Sequence, residues 1–158
     1  MRVLIVYNTR TNFTKRIAYE LAEKLDADVE EIIDEKNRQG ALGYLRGGKD
    51  AAAKKLAKIH QAKKSLRDYD LVILGTPVWV GTMTPAMRTF LKQEEANINK
   101  FVCFTTQGGK KRQKVFEEIN KATKTESMVN EFFVTKNIAK GIHKEKLNEF
   151  ARRIKSLF

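Results

Sequence analysis

The sequence predicts an α/β fold of three layers, in which a doubly wound, five-stranded parallel sheet carries helices on both faces. Three four-residue runs are apolar on both sides, as in strands buried at the centre of a parallel sheet. These runs are Val3–Val6, Leu71–Leu74 and Phe101–Phe104. The segments between the runs place apolar residues at helical spacing. Alternation of this kind favours a parallel sheet with right-handed crossovers.

Strands and helices are predicted to alternate along the whole chain. In order, the predicted strands are Val3–Val6, Asp28–Ile33, Leu71–Leu74, Phe101–Phe104 and Ser127–Thr135. The predicted helices are Thr14–Leu25, Lys49–Lys64, Thr84–Glu94, Lys111–Thr123 and His143–Phe158. The chain of 158 residues contains no sign of an internal repeat or a second domain. We therefore expect residues 1–158 to form a single domain.

Four of the predicted helices carry an apolar stripe on one face. In chain order, the stripes are formed by Ile17, Leu21 and Leu25, by Met87, Phe90 and Leu91, by Val115, Phe116 and Ile119, and by Leu147, Phe150 and Ile154. The helix Lys49–Lys64 is predicted instead from its alanine- and lysine-rich composition. The second and fifth strands show the weaker strand patterns.

Composition excludes several kinds of chemistry. The chain has one cysteine and two histidines, so neither an intrachain disulfide nor a cysteine-rich zinc site can form. Cys103 lies within an apolar run, which favours a buried hydrophobic side chain over a nucleophile. We therefore predict no metal site and assign no catalytic residue.

No segment of the sequence has the length and character of a membrane span. The longest largely apolar stretch, Leu71–Met83, is shorter than the roughly 20 residues that a spanning helix needs, and Pro77 interrupts it. The first seven residues lack the features of a signal peptide. We therefore expect no membrane span and a cytoplasmic location.

A long connection, residues 34–69, separates the second and third predicted strands. Four of the nine glycines lie within Gly40–Gly48. This segment is either an ordinary surface loop or a flexible lid that carries Tyr44 over a ligand. Its run Gly43–Asp50 resembles a P-loop, but Asp50 stands where that motif needs serine or threonine. We therefore disfavour a P-loop.

The segment after the first strand is rich in hydroxyl groups, at the edge of the sheet where such folds bind ligands. Thr9, Thr11 and Thr14 supply hydroxyls, and Arg10 supplies a positive charge, next to the start of a helix. Helix N-termini attract anions through their free N–H groups. The segment lacks the glycines of a dinucleotide-binding turn, which disfavours a dinucleotide. Its hydroxyl groups and Arg10, without a metal-binding carboxylate, fit a monophosphate. In the alternative interpretation, Thr14 only caps the helix within an ordinary turn.

Two further segments follow strands at the same predicted edge. Gly75–Pro85 contains both prolines and the only tryptophan, Trp79, which a rigid loop would present to a planar ligand. The alternative is that Trp79 packs over the edge of the sheet. Thr105–Gly109 offers backbone amides to which a ligand can come close, although a plain strand-to-helix turn would have the same composition.

These three segments resemble those of the flavodoxin family, and the resemblance covers nearly the whole chain. The family's phosphate loop reads Ser/Thr-x-Thr-Gly-x-Thr, and Thr9–Thr14 matches it except that Asn12 replaces the glycine. Tyr69–Leu91 is similar to the family's flavin-stacking loop and the helix after it, and Thr105–Gly109 resembles its second ring loop. The resemblance implies a strand order of 2-1-3-4-5 and a bound FMN.

The same resemblance implies which residues hold the cofactor. The phosphate loop comprises Thr9, Arg10, Thr11, Asn12, Phe13 and Thr14. The ring loops comprise Pro77, Val78, Trp79, Val80, Gly81, Thr105, Thr106, Gln107, Gly108 and Gly109. Trp79 takes the stacking position. Because the cofactor brings the redox chemistry, the resemblance implies an electron-transfer protein.

The chain departs from familiar flavodoxins, which are acidic, in its formal net charge of +12. Lysines concentrate in residues 49–64 and 110–124, where they either form a solvated surface or steer acidic redox partners. Nucleic acid is disfavoured, because the chain has no helix-turn-helix or RNA-binding aromatic motif. No carboxylate occurs in Thr76–Thr84 or Thr105–Lys111. We therefore expect the second one-electron reduction of bound FMN to have a less negative potential than in acidic relatives.

Three functions remain open at this point, and whether the protein is an enzyme is one of the differences between them. An electron carrier between protein partners is favoured, because no segment marks a nicotinamide site. The alternative is an NAD(P)H-dependent FMN or quinone reductase on the same fold, with its substrate near Gly40–Gly48. The third is a flavin-free basic binding module.

Overall fold

A computed structural model describes residues 1–111 and 114–158, and its centre is a five-stranded parallel sheet. The strands are β1 (Val3–Tyr7), β2 (Asp28–Glu31), β3 (Leu71–Pro77), β4 (Phe101–Gln107) and β5 (Asn130–Val134). Their order across the sheet is β2-β1-β3-β4-β5, and every neighbouring pair is parallel. The predicted fold class and strand order are therefore confirmed.

Among the described residues, six helices flank the sheet. They are α1 (Phe13–Leu25), α2 (Gly40–Ala52), α3 (Pro85–Glu94), α4 (Val115–Thr123), α5 (Thr135–Ala139) and α6 (Lys144–Lys155). Short 3-10 turns precede β3 at Leu66–Asp68 and follow α3 at Glu95–Asn97. Within the described residues, no helix is long and apolar enough to cross a membrane.

Each face of the sheet has its own hydrophobic core, because successive side chains of a strand point to opposite faces. On one face, Val3 and Ile5 of β1 pack with α1, α5 and α6. On the other, Leu4 and Val6 pack with α3 and α4. Cys103 lies in this second core, fully buried, and burial raises the pKa of its thiol. The interpretation of Cys103 as a core residue is therefore confirmed.

The connection between β2 and β3 contradicts the predicted helix Lys49–Lys64. The helix is α2, which ends at Ala52, and residues 53–64 are not helical. The glycine-rich segment is thus a helix and not a loop. Asp50, within the run that resembles a P-loop, lies in this helix and accepts a hydrogen bond of 2.9 Å from the buried Arg38.

Two glycines explain why α2 forms in a segment with low helix propensity. Both lie on the buried face of α2, where a side chain would not fit. A Cβ atom at Gly43 would lie 2.3 Å from the carbonyl carbon of Arg38, and one at Gly47 would lie 2.9 Å from Cζ3 of Trp79. Packing that only glycine permits therefore outweighs its intrinsic cost in a helix.

The remaining differences concern the ends of elements. Strands β3 and β4 run three residues further than predicted, and β5 is shorter than Ser127–Thr135. Helix α5 was not predicted; it ends before Gly141, which adopts a positive φ of 74°. Helix α4 begins at Val115, and Arg112 and Gln113 of the predicted helix Lys111–Thr123 lie outside the described residues.

Candidate functional site

The loop between β1 and α1 is fixed at both ends. At its start, the N–H of Asn8 donates to the carbonyl oxygen of Gly75 (3.0 Å) and its side-chain amide donates to that of Ile32 (2.7 Å). At its end, Asn12 adopts left-handed backbone, with φ 64° and ψ 2°, just before α1 begins. Asparagine tolerates this region better than other residues with a Cβ atom, which explains how it replaces glycine here.

Two polar atoms of this loop are buried and have no partner in the part of the chain that the structure describes. Among the described residues, nothing hydrogen-bonds to the hydroxyl of Thr9 or to Nε of Arg10. Buried polar groups are normally paired, so these two atoms lack the acceptor that a bound anion would provide. Arg10 also stacks on the ring of Tyr44 in α2, with Cζ 4.9 Å from the ring centroid. The hydroxyl of Thr14 is already paired, 2.7 Å from that of Thr106.

The loop after β3 contains a tight two-residue turn. The N–H of Trp79 donates to the carbonyl oxygen of Thr82 (2.9 Å), and the N–H of Thr82 donates back to that of Trp79 (3.1 Å). Between them, Val80 and Gly81 have positive φ angles of 50° and 77°. This conformation is typical of Asn-Gly turns and is strained for a β-branched residue such as valine. The strain costs about 1–3 kcal/mol.

Trp79 packs against α2 at the point where Gly47 lacks a side chain. Its indole lines two cavities. One, of about 210 Å³, also contacts Asn8, Thr9 and Arg10. The other, of about 200 Å³, lies between α2 and the turn that carries Val80. Trp79 therefore lines one cavity together with the loop after β1 and packs against α2, and it is only partly buried.

The third predicted segment belongs largely to the strand. Thr105, Thr106 and Gln107 are buried residues of β4, so the prediction of an open loop from residue 105 is wrong. The carbonyl oxygen of Thr106 accepts a hydrogen bond of 2.9 Å from the N–H of Val78, which ties this strand to the tryptophan loop. Only Gly108 and Gly109 form an exposed turn, and both have open space where a Cβ would be.

The family of the chain is decided by comparison with known proteins. The model of the Flavodoxin family matches residues 2–153. The chain belongs to the flavodoxin family. A search of curated proteins found no significant match.

Solved structures of low sequence identity share the fold of this flavodoxin-family chain. A flavoprotein from Lactobacillus acidophilus, solved in complex with FMN, superposes with a TM-score of 0.73 at 20% identity, covering 88% of this chain and 97% of that one. Oxidised Flavodoxin 1 from Bacillus cereus gives 0.59 at 14% identity, covering 100% and 99%. A flavone reductase gives 0.60 at 11% identity, covering 97% of this chain and 60% of that one.

The three segments predicted from the sequence meet at one edge of the sheet. Contacts of Asn8 with Gly75, of Thr14 with Thr106, and of Val78 with Thr106 connect them directly. Within the phosphate-loop motif, the side chain of Phe13 packs against the hydrophobic core. The Phe13 side chain is therefore shared between this core and the protein surface.

Sequence reasoning missed the side chains that hold this site together from other elements. Arg88 of α3 donates to the hydroxyl of Thr82 (2.8 Å) and to the carboxylate of Glu118 in α4 (3.3 Å), and that hydroxyl donates to Glu118. Glu118 lies 36 residues from Thr82 in sequence, so no local pattern marks it. It also brings a carboxylate beside a loop that has none of its own, although Arg88 offsets its charge.

Gln107 organises the exposed turn after β4 in a similar way. Its side-chain amide donates to the carbonyl oxygens of Gly109 (2.9 Å) and Lys111 (2.6 Å). Its carbonyl oxygen accepts a weaker bond of 3.3 Å from Thr105. Gln107 was predicted to contact the cofactor, but its side-chain amide groups are bonded to its own loop.

Proposed function

We propose that this chain binds one FMN at the carboxyl edge of the sheet and transfers electrons between protein partners. The observation that carries the FMN proposal is the loop after β1, where the Thr9 hydroxyl and Arg10 Nε are buried beside the start of α1 and have no partner among residues 1–111 and 114–158. A phosphate monoester supplies the acceptor oxygens that these donors lack. The L. acidophilus flavoprotein of the same fold was solved with FMN, which supports this choice of ligand.

In this proposal, each loop has a distinct role toward the cofactor. Thr9, Arg10, Thr11 and the first N–H groups of α1 bind the phosphate, and the left-handed Asn12 sets the direction of those groups. A second group binds the flavin ring: Pro77, Val78, Trp79, Val80, Gly81, Gly108 and Gly109. FMN supplies reversible one- and two-electron chemistry. The chain supplies a fixed position for the ring and a positive surface around it.

The positive surface supports an acidic redox partner. Near the proposed ring site, Lys49 and Lys110 are exposed, and the formal net charge is +12. Complementary charge raises the rate of encounter with an acidic protein, and salt screens the effect. Partner identity and the predicted cytoplasmic location both stay predictions.

The surface charge at the flavin can be tested without the natural partner. We expect FMN-loaded, reduced protein to be reoxidised by anionic ferricyanide at a rate that falls as ionic strength rises. Reoxidation by cationic cobalt(III) hexaammine should accelerate with salt. Lys110→Gln should weaken the salt dependence of both reoxidation rates. Lys155→Gln removes the same charge from the remote helix α6 and should leave both salt dependences unchanged. Trends of the opposite sign would contradict a positive surface at the ring.

A reductase is the second candidate, because a cavity of about 200 Å³ adjoins Trp79 and a flavone reductase shares the fold. A carrier and a reductase differ in whether NADH or NADPH reduces the bound flavin when FMN-loaded protein is mixed with it in the absence of oxygen. The carrier proposal predicts that neither bleaches the flavin on mixing, although dithionite does. Rapid bleaching, followed by turnover with a quinone, would replace the carrier with the reductase.

The flavin-free basic module is separated from both by a single observation. Protein that is purified without colour and gives no change on addition of FMN would favour the basic module. A yellow protein that releases FMN on denaturation would exclude it.

A further inference from the structure

Arg10, in the loop proposed to bind the phosphate, has one face of its guanidinium group covered by the ring of Tyr44. The Cζ atom of Arg10 lies 4.9 Å from the centroid of that ring. Tyr44 belongs to α2 and not to the loop, and its side chain is 59% exposed. A residue from a separate element therefore contacts the charged group of the phosphate loop.

We propose that Tyr44 is a positioning residue for FMN binding, whose ring holds the Arg10 guanidinium in the orientation that binds the phosphate. The inference rests on the function proposed above and adds α2 to the phosphate site. Tyr44 acts through Arg10 and makes no contact with the flavin ring.

The positive charge of Arg10 is available to an anion from outside the chain. Two carboxylates of the cavity that Arg10 lines are bonded to other residues. Asp34 accepts a hydrogen bond of 2.6 Å from Arg38, and Glu31 pairs with Lys15 at 3.3 Å. Among the described residues, Arg10 itself forms no ion pair, and its buried Nε has no hydrogen-bond partner.

The contact with Tyr44 covers a face of the Arg10 guanidinium but leaves its N–H donors available, because these donors lie in the plane of the group. The cation is attracted to the face of the aromatic ring, which restricts the rotation of a long side chain. Less conformational entropy is then lost when a phosphate binds. An arginine ordered in this way can present two parallel N–H groups to phosphate oxygens.

Helix α2 holds Tyr44 in place because the helix is anchored to the segment that follows β2. Arg38, two residues before α2, donates a hydrogen bond of 2.9 Å to Asp50 within the helix. Gly43, next to Tyr44, lies against the backbone of Arg38, where a Cβ atom would be 2.3 Å from the carbonyl carbon. The ring that covers Arg10 is therefore presented by a packed helix.

Titrations with FMN and with riboflavin distinguish an effect on the phosphate from an effect on the ring. Tyr44→Leu keeps an apolar side chain but removes the aromatic face, so it should raise the Kd for FMN about three- to tenfold. The Kd for riboflavin, which lacks the phosphate, should not change. Tyr44→Phe keeps the aromatic face and should bind FMN as the unsubstituted protein does. Leu42→Ala, at a position of α2 that is 69% exposed, is the control and should change neither Kd.

A double variant tests whether Tyr44 acts through Arg10. Arg10→Gln removes the positive charge and should weaken FMN binding by itself. In that background, Tyr44→Leu should cause no further loss of affinity, because the group that the ring positions is absent. Additive losses would mean that Tyr44 contacts the cofactor independently, which would overturn the proposal.

Apoprotein tests the same contact without the flavin, with inorganic phosphate as the probe. The buried Nε–H of Arg10 should give a resonance in a ¹H–¹⁵N spectrum that Arg10→Gln removes. We expect phosphate to shift this resonance saturably, with a higher Kd in Tyr44→Leu than in Tyr44→Phe.

Four further results are decisive. Equal losses of FMN and riboflavin affinity in Tyr44→Leu would overturn the proposal and place Tyr44 at the flavin ring. A loss in Tyr44→Phe as large as that in Tyr44→Leu would overturn it in favour of the hydroxyl. Affinities for FMN and phosphate that Tyr44→Leu leaves unchanged would exclude a positioning role. Phosphate binding that depends on Tyr44 in a protein that does not bind FMN would support the role of Tyr44 and refute the flavin function.

Discussion

Replacing Thr9 with valine should change the stability of the apoprotein and its affinity for FMN in opposite directions. The Thr9 hydroxyl is buried and, within the described residues, has no hydrogen-bond partner. An unpaired buried polar group costs about 1–3 kcal/mol. Valine keeps the branched shape and removes the unpaired group, so the apoprotein should gain about 1 kcal/mol. For a domain of this size, that raises Tm by about 2–4 °C.

The same substitution removes a donor to the phosphate of FMN. A hydrogen bond to a charged group contributes about 1.5–3 kcal/mol, which corresponds to an increase of about ten- to a hundredfold in Kd. Thermal unfolding of apoprotein gives the first quantity, and titration with FMN gives the second. Thr125→Val, between α4 and β5, is the matched control and should change neither. A Thr9→Val apoprotein that is less stable but binds FMN normally would refute the assignment of this hydroxyl to a ligand.

Three further predictions concern other residues. Asn12→Gly should retain FMN binding, because glycine adopts the left-handed backbone freely. Asn12→Ala should lower the apoprotein Tm by about 2–4 °C through about 1 kcal/mol of backbone strain. Equal Tm values for Asn12→Ala and the unsubstituted apoprotein would contradict this. Gly47→Ala, whose Cβ would lie 2.9 Å from the Trp79 ring, should shift the indole emission and weaken FMN binding, while Ala52→Ser on the exposed side of α2 should do neither. Burial raises the pKa of Glu20, but hydrogen bonds with Arg16 and His143 outweigh it and lower that pKa. This carboxylate therefore stabilises the fold above its unfolded pKa of about 4.3 and ceases to do so as pH falls through the lower folded value, so Glu20→Gln should flatten the acid limb of a Tm-against-pH curve.

The regular part of the fold could be predicted from local pattern alone. Continuous apolar runs marked β1, β3 and β4, because strands buried on both faces have no polar side to break the run. The stripe of Ile17 and Leu21 marked α1 in the same way. These patterns depend only on residues that are near one another in sequence, so one amino-acid sequence is enough to detect them.

Helix α2 could not be predicted, because its cause is tertiary. Glycine disfavours a helix in isolation, and Gly43 and Gly47 become helix residues only because Arg38 and Trp79 occupy the space beside them. The lysine-rich segment that follows has good helix propensity but lies in the return to β3, where Ala57 is bonded to the Thr89 hydroxyl through both its N–H and its carbonyl. Long-range contacts decided both outcomes.

The residues of the candidate site also differ in whether a local sequence pattern or a long-range contact identifies them. The phosphate-loop motif could be found because its residues are consecutive, and Asn12 adopts the backbone that its place in the motif requires. Glu118 could not, because it reaches the site from a helix that begins far along the chain. The resemblance to the flavodoxin family implied that Gln107 contacts the cofactor, and this stays a prediction. The hydrogen bonds by which its side chain closes its own turn could not be read from the sequence.

Parallel titrations of apoprotein with FMN and with riboflavin, followed by Trp79 emission and flavin fluorescence together, measure how far the phosphate anchors the flavin. We expect one FMN per chain, quenching of both signals, and affinity for riboflavin at least tenfold weaker because it lacks the phosphate. Equal affinity for the two flavins, or no saturable change with FMN, would contradict a phosphate-anchored flavin at this edge of the sheet.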